Sequence, residues 1–335
     1  MRIWINHWFS TAYYFVEMLK NNGYEVIGSN ERDTCVYKTN VDEFYLEPKY
    51  DESTYVDYCL KFCINHKIDV FFIKRGMNVI INNLKKFDAI NVKVICEQDK
   101  DKFFMLQDKF ATMNYFKNKS YINIPEMEIV TNVDEFIEAY NKLHTKYDKI
   151  CIKYNQDEGG MSYKLISDRK PSLSRISENN GLVYSLSYVI SCLSSEENFK
   201  PLIVMPYLEG TEISIDCLGL NNNLIAIPRY KLSNRVTKID MDENLINLAN
   251  NIYNDLKLDG PFNIQFRYSK NKLYLLEINT RLSGGSWKEQ FVGCEFPVLC
   301  VKKFTNELKE LPKIDFKTME LSNLESIKKL SEITK

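Results

Sequence analysis

Five short apolar runs, each separated from the next by a polar or amphipathic stretch, fill roughly the first 95 residues. This alternation constrains the fold more than any other feature of the chain. The runs are RIWI (2–5), YEVIG (24–28), FYLEP (44–48), DVFFIK (69–74) and VKVIC (92–96). Between them, Ser10 or Thr11 can cap a helix through Tyr14, Met18 and Leu19 to Asn22-Gly23, and further helices read from Asp57 to His66 and around 77–86. Strands separated by helices imply a parallel sheet with helices on both faces. The turn after the first strand, Asn6-His7-Trp8-Phe9-Ser10, lacks the spaced glycines of a dinucleotide fingerprint, so this is not a dehydrogenase domain. His7 stands where such a sheet presents ligands, at its carboxyl edge, and reads either as a substrate contact or as a turn residue.

Beyond residue 98 the texture changes. Asp101–Asn118 and Asn132–Thr145 read as amphipathic helices, and KICIKY (149–154) and YKLIS (163–167) as strands joined by a glycine-containing loop. Residues 168–198 are polar and serine-rich, with a helical stretch near 183–193. LIVMPYL, TEISIDCLG and NLIAIPRY then read as strands, 242–256 as a helix, and PFNIQFRY with KLYLLEIN as two more strands. The lysine-rich segment after Cys300 is expected to form surface helices. At 335 residues, two or three domains are expected.

A formal net charge of −1 argues against a general nucleic-acid or membrane-surface binder, which would carry a basic excess. No run is long and apolar enough to predict a membrane span, and two Trp, an Asn and a His break up the amino-terminal apolar run. A cytoplasmic protein is therefore expected. The nine cysteines include no CxxC pair, which favours buried thiols over a zinc site or disulfides.

Glycine is scarce at 12 residues, so the pairs Gly159-Gly160 and Gly284-Gly285 mark places where backbone approaches something closely. Three stretches carry chemistry. In 261–285, alternation puts Gln265 on one strand face with Asn263 and Arg267, and Glu277 with Asn279 and Arg281 on a face of the next. A hairpin centred on Asn271 would set Gln265 opposite Glu277. Three oxygen donors, Gln265, Glu277 and Asn279, would then suit Mg²⁺; the alternative is a solvated Glu277 paired with Arg267 or Arg281. Lys153, on a strand before a glycine turn, reads as a phosphate ligand or a surface lysine. Pro206 cannot donate a ladder hydrogen bond, so its carbonyl and the Leu208 N–H could read an adenine edge, or the segment is an ordinary hairpin turned at Glu209-Gly210.

Taken in order, Asp108-Lys109, Lys153 with its glycine loop, MPYLEGTEISID and Q…EINTRLSGG resemble the ATP-grasp superfamily. The texture is most similar to single-unit relatives of the carbamoyl-phosphate synthetase large chain. The resemblance implies an α/β and α+β chain: a parallel-sheet pre-ATP-grasp domain at 1–98, a two-lobed ATP-grasp fold at 99–300 with a lid-like lobe at about 147–205, and a helical tail at 301–335. It further implies that Lys109 and Lys153 contact ATP phosphates beneath the Gly159-Gly160 loop. Met205, Pro206, Tyr207 and Leu208 would hold adenine, and Glu212 the ribose. Gln265, Glu277 and Asn279 would bind Mg²⁺, with Mn²⁺ as a substitute, and Arg281 would act with Lys153 in phosphoryl transfer. Arg229, Lys231, Ser283, Gly284, Gly285 and His7 would face the substrate.

The implied activity is an ADP-forming carboxylate–amine ligase working through an acylphosphate on a small acid or amino acid, with small-molecule partners and a homodimeric state typical of such proteins. Phosphoryl transfer to a stable acceptor, or nucleotide binding without turnover, are the alternatives. The single unit, without a glutaminase-like segment, argues against full carbamoyl-phosphate synthesis.

Overall fold

The computed structural model describes residues 1–6, 10–157, 160, 162–168, 182–324 and 327–329. His7 and Gly159 lie outside the described residues.

The amino-terminal alternation folds as expected. Arg2–Ile5 (β1), Glu25–Asn30 (β2), Glu43–Leu46 (β3), Val70–Phe72 (β4) and Lys93–Ile95 (β5) form a parallel sheet in the order β3-β2-β1-β4-β5. Between them run Ala12–Asn21 (α1), Glu52–Asn65 (α2), Met77–Ile81 (α3) and Leu84–Asp88 (α4). One face packs Ile3, Ile5, Val70 and Phe72 against Phe15, Val16 and Leu19 of α1. The other packs Trp4 and Phe71, whose rings stack 3.9 Å apart, against Cys59, Phe62 and Cys63 of α2. Because alternate strand residues face opposite ways and both faces are covered, the central strands β1 and β4 are apolar on both faces along Ile3–Ile5 and Val70–Phe72. The second helix starts earlier than expected because Asp51 caps it, accepting from the Ser53 N–H at 2.8 Å. The helix expected around 77–86 is two short ones.

The stretch expected as one helix, Asp101–Asn118, is Lys100–Gln107 (α5) followed by Lys109–Phe116 (α6). Asp108 ends the first and caps the second, its Oδ1 accepting from the Ala111 N–H at 2.7 Å. The remaining elements are Glu128–Val130 (β6), Val133–His144 (α7), Ile150–Tyr154 (β7), Lys164–Ile166 (β8), Val183–Tyr184 (β9), Leu186–Leu193 (α8), Leu202–Pro206 (β10), Glu212–Leu220 (β11), Asn223–Lys231 (β12), Val236–Asp240 (β13), Glu243–Leu256 (α9), Phe262–Ser269 (β14), Lys272–Asn279 (β15), Phe296–Phe304 (α10) and Thr318–Ser322 (β16). A second sheet has the order β6-β10-β7-β8-β9, and a third β15-β14-β11-β12-β13-β16. β10 and β11 therefore sit in different sheets, which removes the ordinary-hairpin reading of 202–219.

The carboxyl-terminal segment corrects an expectation. Among the described residues no helix follows α10; Thr318–Ser322 instead pairs antiparallel with β13. The reason is alternation: Met319 and Leu321 are half-buried while Thr318, Glu320 and Ser322 are exposed, the period of an edge strand.

The chain divides into two compact units. One comprises Met1–Phe104, Glu212–Gln265 and Ile278–Lys335; the other comprises Met105–Thr211 and Phe266–Glu277. No described helix is long and apolar enough to cross a membrane. All nine cysteines are free thiols, and all but the exposed Cys192 and half-buried Cys35 are buried.

Candidate active site

In the unit that contains β7 and β10, two lysines distant in sequence meet one carboxylate. Lys109 leaves the Asp108 cap pointing inward and is 6% exposed. Its Nζ lies 3.7 Å from Glu277 Oε2 and donates to the Asp157 carbonyl at 2.8 Å. Lys153, on β7, reaches the Leu276 carbonyl at 3.4 Å. Burial pushes the Lys153 ammonium below its usual range, with Lys109 adding to the shift and Glu277 opposing it. Two ammonium groups sharing one carboxylate leave a net positive patch under the start of the glycine loop, suited to phosphate charge. Asn155 ties the helix to that loop, its Oδ1 accepting from the Phe110 N–H at 2.8 Å. Lys153 is therefore not a surface lysine. Gly160 takes φ +66°, a left-handed conformation that glycine adopts without strain.

Beside this patch lies an apolar cluster: Cys151, Leu165, Ile203, Met205 and Leu208 are buried, with Tyr163, Tyr207, Tyr274 and Leu276 packed against them. Two polar groups in it lack protein partners. The Tyr163 hydroxyl is buried without a hydrogen bond, and among the described residues the Leu208 N–H has no acceptor. Tyr207 lies under the Arg267 guanidinium at 5.4 Å, and Arg267 Nε donates to the Gly210 carbonyl at 3.0 Å. An apolar cluster with an unpartnered N–H and an orphaned hydroxyl has the chemistry to face a flat, edge-accepting group. Tyr163 was not singled out in the sequence; its only signal is its place three residues after Gly160.

The hairpin of β14 and β15 turns through Lys270 and Asn271, with φ +48° and +61°. Positive φ at both central residues is the two-residue turn whose twist matches paired strands. Its midpoint falls between these residues rather than on Asn271, so counting from the loop, Gln265 is not the direct partner of Glu277, as had been expected. Gln265 and Asn279 are both half-buried. The Gln265 amide donates to Asn263 Oδ1 at 3.3 Å, and Asn263 donates to Ser214 Oγ at 2.8 Å.

In the other unit, one face of β11–β12–β13 passes from apolar to polar along its strands. Leu218, Ile225, Ile227 and Ile239 enter the core, while Asp216, Ser214 and Glu212 continue along β11, and Arg229 and Lys231 along β12. Arg229 is buried and bonds Asp216 Oδ2 at 2.5 Å, Glu289 Oε1 at 2.8 Å and Ser283 Oγ at 2.5 Å. Burial disfavours its charge, but Asp216 and Glu289 outweigh that and raise its pKa further. Burial, then the Asp216 charge, push Glu289 well above the ordinary carboxylate range. Ser283 also donates to Asp216 from its N–H at 2.7 Å and its hydroxyl at 2.8 Å. Arg229 and Ser283, implied as substrate contacts, are thus committed to this network, which fixes the turn after Arg281. Gly285 explains its own identity, since a Cβ there would lie 2.3 Å from Arg229 Nη1. Arg281 is half-buried, its Nη1 donating to the neighbouring Leu282 carbonyl at 3.2 Å, and Gly284 is exposed. Glu212 is half-buried and its carboxylate accepts no hydrogen bond among the described residues.

A family model described as an ATP-grasp in the biosynthetic pathway with Ter operon matches residues 198–327. A carbamoyl-phosphate synthase of Methanobrevibacter smithii is 26% identical over 198 residues, covering 54% of this chain and 47% of that protein. The carbamoyl phosphate synthase large chain of Clostridium acetobutylicum is 21% identical over 295 residues, covering 79% of this chain and 24% of that protein. The chain thus spans 47% and 24% of the length of these two relatives.

Among solved structures, the biotin carboxylase domain of Hydrogenobacter thermophilus 2-oxoglutarate carboxylase, crystallised as a dimer with MgADP, ADP and bicarbonate, superposes with a TM-score of 0.68 at 15% identity. The match covers 94% of this chain and 72% of that one. An L-amino acid ligase from Bacillus licheniformis has a TM-score of 0.65 at 13% identity, covering 92% and 76%. The expected resemblance holds: the chain is similar to the carbamoyl phosphate synthase large chain, residues 198–327 match an ATP-grasp model, and its fold is that of these solved structures.

Proposed function

We propose that this chain is an ADP-forming ligase that activates a small carboxylic acid with ATP and joins it to an amine. The observation that carries the reading is the meeting of Lys109, Lys153 and Glu277 beside an apolar cluster with unpartnered polar groups. A carboxylate is a poor electrophile. Attack of its oxygen on the γ-phosphorus of ATP breaks the bond to the β-phosphate oxygen, releases ADP and leaves an acylphosphate. An amine then attacks the acyl carbon, phosphate departs, and the amine nitrogen loses a proton.

Catalysis of the first step is mainly positioning and charge neutralisation. Lys109 and Lys153 hold phosphate oxygens, Arg281 offsets charge on the group in transfer, the Met205–Leu208 segment seats the base, and Glu212 takes the ribose hydroxyls. The Gly159-Gly160 loop would cover the phosphates and slow hydrolysis of the acylphosphate. Glu277 would supply a carboxylate oxygen, and Gln265 and Asn279 amide oxygens, to a divalent cation; one carboxylate with two neutral donors suits Mg²⁺. That ion, or Mn²⁺ in its place, would draw charge from the β- and γ-phosphates. Among the described residues there is no alternative cluster of three His, Cys, Asp or Glu side chains.

The test is a coupled ADP assay across pairs of acids and amines. Wild type should release ADP only when an acid is present, faster when an accepting amine is added, and Glu277→Gln should abolish both. Undiminished amine-dependent ADP release by Glu277→Gln would refute the assignment.

A further inference from the structure

On the polar face of β11–β12–β13, the buried Lys288 has no counter-charge among the described residues. Lys288 lies on the short 3-10 helix Ser286–Val292, is 8% exposed, and donates to the Thr237 hydroxyl at 2.7 Å. Thr237, itself buried on β13, pairs across the ladder with Lys231 on β12 and with Leu321 on β16. The charged groups on that side are Arg229 and Lys231 from β12, Asp216 and Glu212 from β11, and Glu289 from the same helix; β13 and β16 present Thr237, Ile239, Met319 and Leu321. Asp216 and Glu289 are both taken by Arg229. Glu212 pairs with Lys231 in the ladder without reaching ion-pair distance of any described lysine. Lys288 forms no ion pair among the described residues. Burial, then Arg229 and Lys231, bring its ammonium down to about 8.

A buried charge without a partner is costly, and folds keep one where a ligand completes it. We propose that Lys288 and Thr237, with Lys231 beside them, form an anion subsite that holds a second anionic group of the acid substrate. This deepens the ligase reading and rests on it. The carboxylate that is phosphorylated loses its charge during the reaction, whereas a counter-ion for a buried ammonium has to keep its own. The substrate class is therefore an acid bearing a further carboxylate or a phosphate, whose hydroxyl- and ammonium-accepting oxygens suit Thr237 and Lys288 alike.

The test has a binding arm and a turnover arm. Succinate, 3-phosphonopropionate and butyrate are titrated into the full chain by calorimetry, and the same acids are offered in the ADP assay. Wild type should bind one or both doubly anionic probes at least tenfold more tightly than butyrate; which of the two binds better separates a carboxylate from a phosphate. Lys288→Met should erase the preference, Lys288→Arg should restore part of it, and Thr237→Val should weaken it with the ammonium intact. In turnover the loss should fall on KM for the acid, with KM for ATP unmoved. In wild type the preference should also fade as pH rises past about 8 and should be absent at all pH values in Lys288→Met. Equal binding of all probes, no binding of any, or an unchanged preference in a folded Lys288→Met would overturn the subsite even if acid-dependent ADP release persists. A preference that depends on Lys288 without any acid-dependent ADP release would keep the subsite and refute the ligase reading.

Discussion

Gly284 and Gly285 are adjacent in sequence yet should respond oppositely to a single added methyl group. At Gly285 a Cβ would sit 2.3 Å from Arg229 Nη1 and 3.1 Å from its Cζ. Ordinary contact needs about 3.5 Å, so one partner would have to retreat by roughly 1 Å. Arg229 cannot swing away freely, since Asp216, Glu289 and Ser283 hold its guanidinium. Nor can the turn lift without stretching the two bonds from Ser283 to Asp216. Overpacking alone costs about 1–3 kcal/mol, and breaking a buried ion pair about 3–5 kcal/mol, so Gly285→Ala should cost about 2–4 kcal/mol. At about 2–4 °C per kcal/mol, that is a fall in Tm of roughly 5–15 °C.

At Gly284 the only neighbour within 4 Å is Thr11 Oγ1 at 3.9 Å, so Gly284→Ala should stay within about 0.5 kcal/mol of wild type. Scanning calorimetry on both variants measures the contrast, and the double variant Gly285→Ala, Arg229→Met identifies the clashing partner. If Arg229 is that partner, the second substitution adds less than its cost in the wild-type background. Equal Tm values for the two alanine variants would refute the reasoning, because the network would then be looser than its geometry requires.

The other predictions concern single charges and thiols. Lys109→Met and Lys153→Met should each weaken ADP binding by about 10–100-fold, as expected for a lost charge-assisted hydrogen bond of about 1.5–3 kcal/mol, read by fluorescence or calorimetric titration. Lys288 should make stability rise with pH. Its ammonium titrates near 8 when folded and near 10.4 when unfolded, so the unfolded state holds more protons between those values and the penalty of burying the charge is relieved as pH climbs through that window. Urea melts at pH 7 and 10 should show this gain in wild type and a smaller one in Lys288→Met. Alkylation of the native protein followed by mass mapping should label Cys192 first, because it is the exposed cysteine, whereas burial pushes the thiols of Cys63 and Cys151 up to about 12.

The parallel sheet was legible because apolar runs at helix-separated spacing admit few other arrangements, and β15 because its apolar residues recur at alternate positions. Lys109 was opaque. Between Asp108 and Phe110 nothing local distinguishes it, and it acquires meaning only because the Asp108 cap breaks the helix and turns its ammonium toward Glu277. The surroundings of Arg229 were opaque for a different reason. A basic residue on a strand beside Lys231 suggests a ligand contact, but its partners, Asp216 and Glu289, lie 13 and 60 residues away, and no pattern along the chain announces them. The half-residue error in the hairpin centre arose from counting on Asn271 alone, when a two-residue turn needs positive φ at Lys270 as well.

The claim that an acid is activated as its phosphoric anhydride can be tested by trapping. Hydroxylamine supplied with the accepted acid, ATP and Mg²⁺ should give the acid hydroxamate in equal amount to ADP, and Glu277→Gln should give neither. Acid-independent ADP, or acid-dependent ADP accompanied by a stable phosphorylated product and no hydroxamate, would contradict the account.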